Sequence, residues 1–513
     1  MKYGRFNHTH SQAGLVALLC LLFALNVSSQ ERDFLDLSLE ELMNIKVVTA
    51  SKRLEDQESA PAVMQVISRT DIRHYGARNL VDVLDRATNL QVVGSNLYPH
   101  NRVAIRGVMQ THIDNKILFL INGRPLRDAL QGGKNMDLYM GLPVSAIERI
   151  EIIRGPGSVI YGTNAFSGVI NVVTLKGKTA NEASVSQGSF GYQQIDGVFT
   201  RSTEDYDSLL AVNHISKDGD EFEGITDENG AEDTLTTAGE TSQGLAYLKH
   251  GGWEVNLYAS DNTTDHTNSV FTFPNNEYEV SREFVDVGYS LDLSNKWSLQ
   301  FNGTLHQQKD EFFIINDTIG GADSLGKMAQ VTAQYSGANY HWLLGAEYET
   351  LESKLNRSGN SYDTHNSGIY SQWDQSFGSS YKLVAGIQAN KSEFADWDYS
   401  PRLGLIYTID NESGLKLLYG RAFRMPFILD LFVDSPALRG NPDLKPEKIE
   451  TVDLEYFRHA TNSSLSLVLY YSEQKDIHSR FNVGGFTNSF QNKGEVSYQG
   501  VEFSGHYQLN PMC

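Results

Sequence analysis

The sequence predicts a small α/β domain followed by a large antiparallel β domain of the kind that crosses a membrane as a barrel. Three observations support this fold class. The first 29 of the 513 residues have the pattern of an export signal. Helix and strand patterns are mixed up to about Lys176. From Ala183 onward, apolar and polar residues alternate with a period of two, as in strands that face lipid on one side and water on the other.

Composition already excludes several classes of protein. The net charge of −21 disfavours a nucleic-acid partner, because an acidic surface repels phosphates. Only 40% of the residues are hydrophobic, and no internal run approaches the roughly 20 apolar residues that a spanning helix needs. The 25 Tyr, 24 Phe and 44 Gly residues instead favour many strands joined by turns, with aromatic side chains available for a membrane interface.

The N-terminus is interpreted as a signal peptide, residues 1–29. Lys2 and Arg5 make its start positive, and Ala13–Val27 is apolar and uncharged. Small residues, ending at Ser29, then occupy the usual positions before a cleavage site, so we expect the mature protein to begin at Gln30. A membrane anchor is the alternative, but this apolar stretch is short for spanning a bilayer.

The next part of the chain predicts a compact α/β domain. Ser68 and Asp71 have the spacing of a helix capping box, and Gly76 is placed to end that short helix. A second helix is expected to bury one apolar face, because its apolar residues recur at helical spacing. Asn122-Gly123 after an apolar run is a strong hairpin signal. The expected strands are Leu90–Val93, Arg102–Arg106, Ile117–Ile121 and Arg149–Ile153.

The second part predicts about sixteen strands, the last ending near Leu509. In Trp297–Leu305, for example, apolar residues alternate strictly with polar ones. A soluble β-sandwich shows similar alternation, but the export signal and the motifs described below argue against it. Connections also alternate between short and long, as in barrels with short periplasmic turns and long outer loops. The long ones are expected at Lys217–Glu240, Asp261–Ser281, Gln308–Ser324, Leu351–His365, Ala422–Glu447 and Ser472–Asn492.

Three segments carry a specific resemblance. Val103–Gly107, Leu118–Leu126 and above all Ile147–Thr174 resemble the plug domain of TonB-dependent outer-membrane receptors, the family that includes siderophore, cobalamin and colicin receptors. The residues that match the plug motifs are Arg106, Gly107, Asn122, Gly123, Arg154, Gly155, Gly157, Tyr161, Gly162 and Gly168. The segment Ile45, Lys46, Val47, Val48, Thr49 and Ala50 is similar to the TonB box, although an ordinary edge strand would have the same pattern. The family motif disfavours a phosphate-binding loop, since Gly155-Pro-Gly-Ser lacks the Gly-Lys-Ser/Thr ending.

The resemblance implies a fold and a set of partners. It implies a small α/β plug inside a large antiparallel transmembrane β-barrel in the outer membrane of a Gram-negative bacterium. It divides the chain into residues 1–29 (signal peptide), 30–50 (extension with the TonB box), 51–176 (plug) and 177–513 (barrel). Because the family's barrel has about 22 strands, we expect the sixteen strands here to be an incomplete barrel. The implied partners are TonB with the inner-membrane proteins ExbB and ExbD, outer-membrane lipid, and a ferric chelate or similar small ligand, with no nucleic acid.

Candidate ligand contacts follow from the plug's expected outer loops. They are Tyr98, His100, Asn101, Lys134 and Tyr139, which suit a bulky chelate but could equally be ordinary solvated loop residues. The acidic loop Ser216–Glu240 makes Asp218, Asp220 and Asp227 weak candidates for calcium binding, with a solvated surface loop as the favoured alternative. Their spacing does not match an EF-hand.

The function expected from the resemblance is TonB-dependent import of a scarce nutrient, with a ferric siderophore preferred over cobalamin or haem. Tyr419–Pro426 and Gly440–Glu447 resemble a paired family box, but no His lies between Phe423 and Leu444, which disfavours haem. A signal-transducing receptor and a passive porin are the alternatives from other classes. No catalytic motif is found, so we expect neither an enzyme nor a resident cofactor, although the transported ligand is expected to contain iron.

Overall fold

The structure, a computed structural model, describes residues 45–94, 102–109, 113–177, 181–226, 232–265, 277–314, 318–356, 358–435, 438–460, 462–485 and 487–507. The expected signal peptide lies outside these ranges. None of the helices in the described ranges has the length and apolar character needed to cross a membrane.

The N-terminal domain contains short strands and helices, as predicted. Its strands are β1 (Lys46–Val47), β2 (Glu55–Asp56), β3 (Val63–Ser68), β4 (Leu90–Val93), β5 (Arg102–Ile105), β6 (Ile117–Ile121), β7 (Arg124–Leu126), β8 (Ile147–Arg154) and β9 (Gly168–Thr174). Its helices are α1 (Arg69–His74), α2 (Leu80–Leu84), α3 (Met136–Gly141) and α4 (Ser158–Tyr161). The expected capping box is present at α1, where the Ser68 hydroxyl and the Asp71 carboxylate exchange hydrogen bonds with each other's backbone N–H.

A five-stranded sheet forms the core of this domain, in the order β3-β8-β9-β6-β7. Strands β6, β8 and β9 are buried almost throughout, because apolar side chains cover both faces. The turn between β6 and β7 is formed by Asn122 and Gly123, with φ of 50° and 80°. Two positive φ values in a two-residue turn are what the Asn-Gly pair favours.

In the part of the chain that the structure describes, the second domain is built on one antiparallel sheet of sixteen strands, which confirms the predicted fold class and strand number. Its strands are β10 (Glu182–Gln187), β11 (Gln193–Ser202), β12 (Tyr206–Lys217), β15 (Gly239–His250), β16 (Trp253–Asp265), β17 (Glu277–Asp292), β18 (Trp297–Ile314), β19 (Thr318–Ser336), β20 (Tyr340–Leu355), β21 (Ser361–Phe377), β22 (Tyr381–Ser392), β23 (Ala395–Thr408), β24 (Ser413–Arg424), β26 (Glu447–Ala460), β27 (Ser463–Lys475) and β30 (Val496–Tyr507). We call it the barrel sheet.

The two faces of the barrel sheet differ in polarity. Apolar side chains such as Ile369, Leu403 and Phe503 are 56%, 53% and 69% exposed on the outer face. Polar side chains at alternating positions face the N-terminal domain and are buried by it. Aromatic pairs lie beside the short turns, including Trp253 with Tyr289, whose ring centroids are 4.7 Å apart. This arrangement is typical of a barrel with a lipid-facing apolar band and an aromatic belt.

The opposite ends of the strands carry additional elements. These are β13 (Glu221–Thr226), β14 (Glu232–Thr236), α5 (Ile428–Phe432), β25 (Leu438–Arg439), β28 (His478–Gly484) and β29 (Thr487–Asn492). The predictions of long loops at Gln308–Ser324 and Leu351–His365 were wrong over most of their length, because ladder hydrogen bonds continue along the strands there. The ends of these strands that lie in the predicted loops lack the regular apolar–polar alternation of the lipid-facing parts, which is why they resembled loops.

Candidate functional site

The segment Ile45–Ala50 is folded against the N-terminal domain. Lys46 and Val47 form β1, which pairs with β2, and the ammonium of Lys46 lies 2.5 Å from the carboxylate of Asp56. Val47, Thr49 and Ala50 are fully buried. Only Lys46 and Val47 form a strand, because a turn begins at Val48, whose carbonyl accepts from the N–H of Lys52 at 2.8 Å. The predicted extended conformation is therefore present at these two residues only, and the side chains of Ile45 and Val48 stay partly exposed.

A single carboxylate, that of Glu151 in β8, accepts three hydrogen bonds from this segment. The donors to its Oε2 are the backbone N–H of Val48 at 3.0 Å, the backbone N–H of Thr49 at 2.9 Å and the Thr49 hydroxyl at 2.6 Å. Its Oε1 lies 2.8 Å from the guanidinium of Arg149. The Thr49 hydroxyl also accepts from Asn171 of β9 at 2.9 Å. Glu151 is fully buried, so these contacts replace its entire hydration.

The residues that follow the segment are tied to the barrel sheet. Arg402 donates to the backbone carbonyl of Ala50 at 3.0 Å. Lys52 donates to the hydroxyl of Tyr370 at 3.0 Å, and Arg53 lies 2.9 Å from the carboxylate of Asp374. The segment thus connects the N-terminal domain to the barrel sheet at one end of the molecule.

A buried ion cluster joins two plug-motif arginines to the barrel sheet. Arg106, with Gly107 in a turn of positive φ, contacts Glu502 at 2.9 Å and Asp453 at 2.8 Å. Arg154 lies 3.3 Å from the same Glu502. All four charged side chains are at most 7% exposed. The sequence indicated the two arginines but not their carboxylate partners.

Further buried pairs attach other parts of the N-terminal domain to the barrel sheet. They are Arg124 with Asp286 (2.9 Å), Arg127 with Glu349 (3.1 Å), Lys134 with Asp310 (2.5 Å), Asp137 with Arg282 (3.0 Å) and Lys116 with Glu447 (3.7 Å). Arg127 also donates to the backbone carbonyl of the buried Tyr161 at 2.6 Å. The partners in the barrel sheet were not predicted, although each is a charged residue at an inward position of an alternating strand, and that pattern can be seen in the sequence.

The glycine-rich motif fits narrow spaces within the N-terminal domain and, at Gly162, a narrow space against Glu347 of the barrel sheet. Gly155 and Gly162 adopt φ of 111° and 72°, which side chains rarely allow. A Cβ at Gly168 would lie 2.6 Å from the carbonyl oxygen of Ile153, and one at Gly157 would lie 2.6 Å from Val169. The motif is therefore built for close packing.

The candidate ligand contacts divide into two groups. Tyr98, His100 and Asn101 lie outside the described residues. Lys134 and Tyr139 are 4% and 0% exposed, so the expectation that they form an open contact surface is corrected. Lys134 is paired with Asp310 of the barrel sheet. The Tyr139 ring packs on Phe119 of the N-terminal domain, and its hydroxyl donates to Asp114.

Asp114 makes the free energy of unfolding of the N-terminal domain depend on pH. Burial raises the pKa of Asp114 to about 8, although Tyr139 and the N–H of Val103 favour its charged form. Between pH 4 and 8 the folded domain keeps the Asp114 proton, whereas the unfolded chain has lost it, because the ordinary pKa of the group is 3.8. The free energy of unfolding should therefore fall by about 1.4 kcal/mol for each pH unit as the pH rises through this range.

Above about pH 8 this contribution is lost and the slope should vanish. We expect Asp114→Asn to remove the slope, as measured by thermal unfolding in detergent micelles from pH 4.5 to 8.5. An identical pH dependence in the wild type and the variant would contradict the assignment.

The segment between the two parts of the paired family box packs on the N-terminal domain. The ring of Phe427 lies against Gly132, and the N–H of Leu429 in α5 donates to the carbonyl of Leu130 at 3.0 Å. The two parts of the box are joined by an ion pair in which the guanidinium of Arg424 lies 2.5 Å from the carboxylate of Glu447.

A histidine from another loop joins this box. His478 hydrogen bonds with the guanidinium of Arg424, and its Nε2 lies 2.7 Å from the carbonyl of Lys445. Burial disfavours the charged form of Asp430, but Arg424 and His478 together lower its pKa to about 2. The sequence spacing gave no sign of His478, because the contact spans 54 residues.

The calcium candidates are only partly described. Asp218 and Asp220 precede the β13–β14 hairpin, and Asp227 lies outside the described residues. Among the residues that the structure describes, no group of three or more His, Cys, Asp or Glu side chains is arranged to hold a metal ion.

Comparison with known proteins matches both domains. The family model "TonB-dependent Receptor Plug Domain" matches residues 56–169, and "TonB dependent receptor-like, beta-barrel" matches residues 180–511. The chain is 24% identical over 489 residues to the vitamin B12 transporter BtuB of Vibrio vulnificus, covering 90% of this chain and 75% of the relative. It is 25% identical to BtuB of Photobacterium profundum, covering 81% and 67%.

A solved structure agrees in fold. The ferric enterobactin receptor PfeA of Pseudomonas aeruginosa superimposes with a TM-score of 0.72 at 15% identity, covering 87% of this chain and 78% of that one. The barrel model alone spans more than half of the chain, and the plug model matches the domain whose cations pair with the barrel sheet. The chain belongs to the TonB-dependent receptor family.

Proposed function

We propose that this chain imports a bulky metal chelate across the outer membrane, driven by TonB acting on Ile45–Ala50. The observation that carries the proposal is the attachment of this segment to the plug through Glu151. A pulling force on the segment would be transmitted to the plug through these hydrogen bonds. Buried ion pairs in turn link the plug to the barrel sheet. A passive porin is disfavoured, because the plug packs against the inward side chains of the barrel sheet.

The strand at Lys46–Val47 supports TonB as the partner. A short β-branched strand near the chain's N-terminal side can add to the sheet of another protein through its backbone hydrogen bonds. Because it can pair in this way, we expect the segment to be where TonB transmits force to the receptor. ExbB and ExbD would act through TonB rather than touch this chain.

Two cargoes are proposed. Cobalamin is supported by the vitamin B12 transporters that match over 90% and 81% of the chain. A ferric siderophore, which the family resemblance favoured over cobalamin, is the second candidate. The net charge of −21 favours a neutral or cationic chelate over a highly anionic one.

The cargo experiment uses a strain that lacks its own cobalamin and siderophore receptors. Radiolabelled cyanocobalamin and a set of ferric siderophores would be offered to cells that express the chain, with and without TonB. We expect accumulation of cobalamin that falls to background without TonB. Uptake of a ferric siderophore instead would reverse the order of the two candidates, and uptake that is independent of TonB would contradict the proposed mechanism.

A further inference from the structure

The hydrogen bonds at Glu151 occupy the groups that the coupling segment would need for pairing with a partner. An added strand bonds through its backbone N–H and C=O groups. Here the N–H groups of Val48 and Thr49 both point to the Glu151 carboxylate, and the carbonyl of Ala50 accepts from Arg402. Val47 is fully buried and lies in β1, paired with β2. The segment cannot hold these contacts and join a second sheet at the same time.

We propose that Glu151 is a latch that keeps the coupling segment folded on the plug and out of reach of its partner. This rests on the proposed function in one respect, namely that Ile45–Ala50 is the segment on which TonB acts. Glu151 is a positioning residue, since it acts through the segment and touches no cargo. Loss of its negative charge releases the segment.

The charge of Glu151 is what makes the latch strong. Hydrogen bonds to an ionised acceptor in a buried site are roughly twice as strong as neutral ones. Arg149 holds the carboxylate in place from the other oxygen at 2.8 Å. The neighbouring Glu148 offers a natural comparison, because it also contacts Arg149, at 3.1 Å, but its side chain is 44% exposed and it makes no described contact with the segment.

The position of the latch also connects it to the plug–barrel contacts. Glu151 and Arg154 lie on the same strand, β8, and Arg154 contacts Glu502 of the barrel. Asn171 of β9 holds Thr49 from the adjacent strand. Release of the segment is therefore linked to two inner strands of the plug sheet, β8 and β9, rather than to its edge strands.

The test measures how fast a buried cysteine in the segment is labelled. Val47→Cys would be placed in a background without Cys20 and Cys513, and membranes would be treated with a soluble maleimide. We expect Glu151→Gln to speed labelling by about ten-fold to a hundred-fold, since several charge-assisted hydrogen bonds are weakened. Glu148→Gln, the matched control, should label at the wild-type rate.

A second variant covers the case in which Glu151→Gln fails to assemble because Arg149 is left unpaired. Thr49→Val removes the hydroxyl that donates to Glu151 at 2.6 Å and leaves the ion pair of Glu151 and Arg149 intact. It should also speed labelling. Unchanged labelling in Thr49→Val and Glu151→Gln, or equal acceleration by Glu148→Gln, would overturn the latch.

A separate readout tests the identity of the segment. Capture of the receptor by the periplasmic domain of TonB, in the absence of cargo, should increase for Glu151→Gln. Faster labelling without increased capture would leave the latch in place and would instead contradict the assignment of Ile45–Ala50 as the TonB-binding segment.

Discussion

Replacing Val48 with proline should reduce energy-dependent uptake to background while leaving cargo binding at the cell surface unchanged. Proline has no backbone N–H and fixes φ near −65°, so it removes a donor from a strand that must pair with a partner. The same N–H donates to Glu151 in the resting structure. The variant therefore loses both the resting contact and the ability to form a regular ladder with TonB.

The measurement compares uptake of labelled cargo with its binding to cells without an energy source. Val48→Ile is the matched control, because it keeps the N–H and the β-branched shape. Control uptake should stay close to that of the wild type. Uptake at the wild-type rate in the proline variant would exclude Ile45–Ala50 as the coupling segment.

Local features of the fold could be predicted because their causes are local. The Asn122-Gly123 turn requires two positive φ values that these residue types supply, and the structure has them. The capping box at Ser68 and Asp71 depends on residues three apart. The sixteen strands follow from alternation within each strand.

The contacts of the candidate site could not be predicted, because they join distant residues. Thr49 and Glu151 are 102 residues apart, and Lys134 and Asp310 are 176 apart. Lys134 and Tyr139 were expected to lie in an outer loop, since nothing near them in the chain shows that the fold buries them. Which carboxylate meets which cation depends on the rotation of the plug in the barrel, and no local pattern encodes that rotation.

The buried pair of Asp137 and Arg282 should have the largest single effect on the stability of the plug. Both side chains are fully buried, and the Asp137 carboxylate also accepts from the hydroxyls of Tyr258 at 3.2 Å and Ser260 at 2.7 Å. Asp137→Asn would leave the Arg282 charge buried without a counter-ion. Breaking a buried pair in this way typically costs about 3–5 kcal/mol.

Amide hydrogen exchange in detergent micelles measures the loss of local stability in the helix that carries Asp137. We expect the amides of Met136–Gly141 to exchange about two to three orders of magnitude faster in Asp137→Asn, because the helix opens locally from the barrel wall. Lys327→Gln is the matched control, since Lys327 pairs with Glu352 at 3.0 Å on the same barrel sheet but both side chains are half exposed. Equal exchange in the two variants would show that Arg282 does not hold this helix. Faster exchange throughout the plug would show instead that this one pair holds the whole domain, and that the cluster around Glu502 is too weak to anchor the rest.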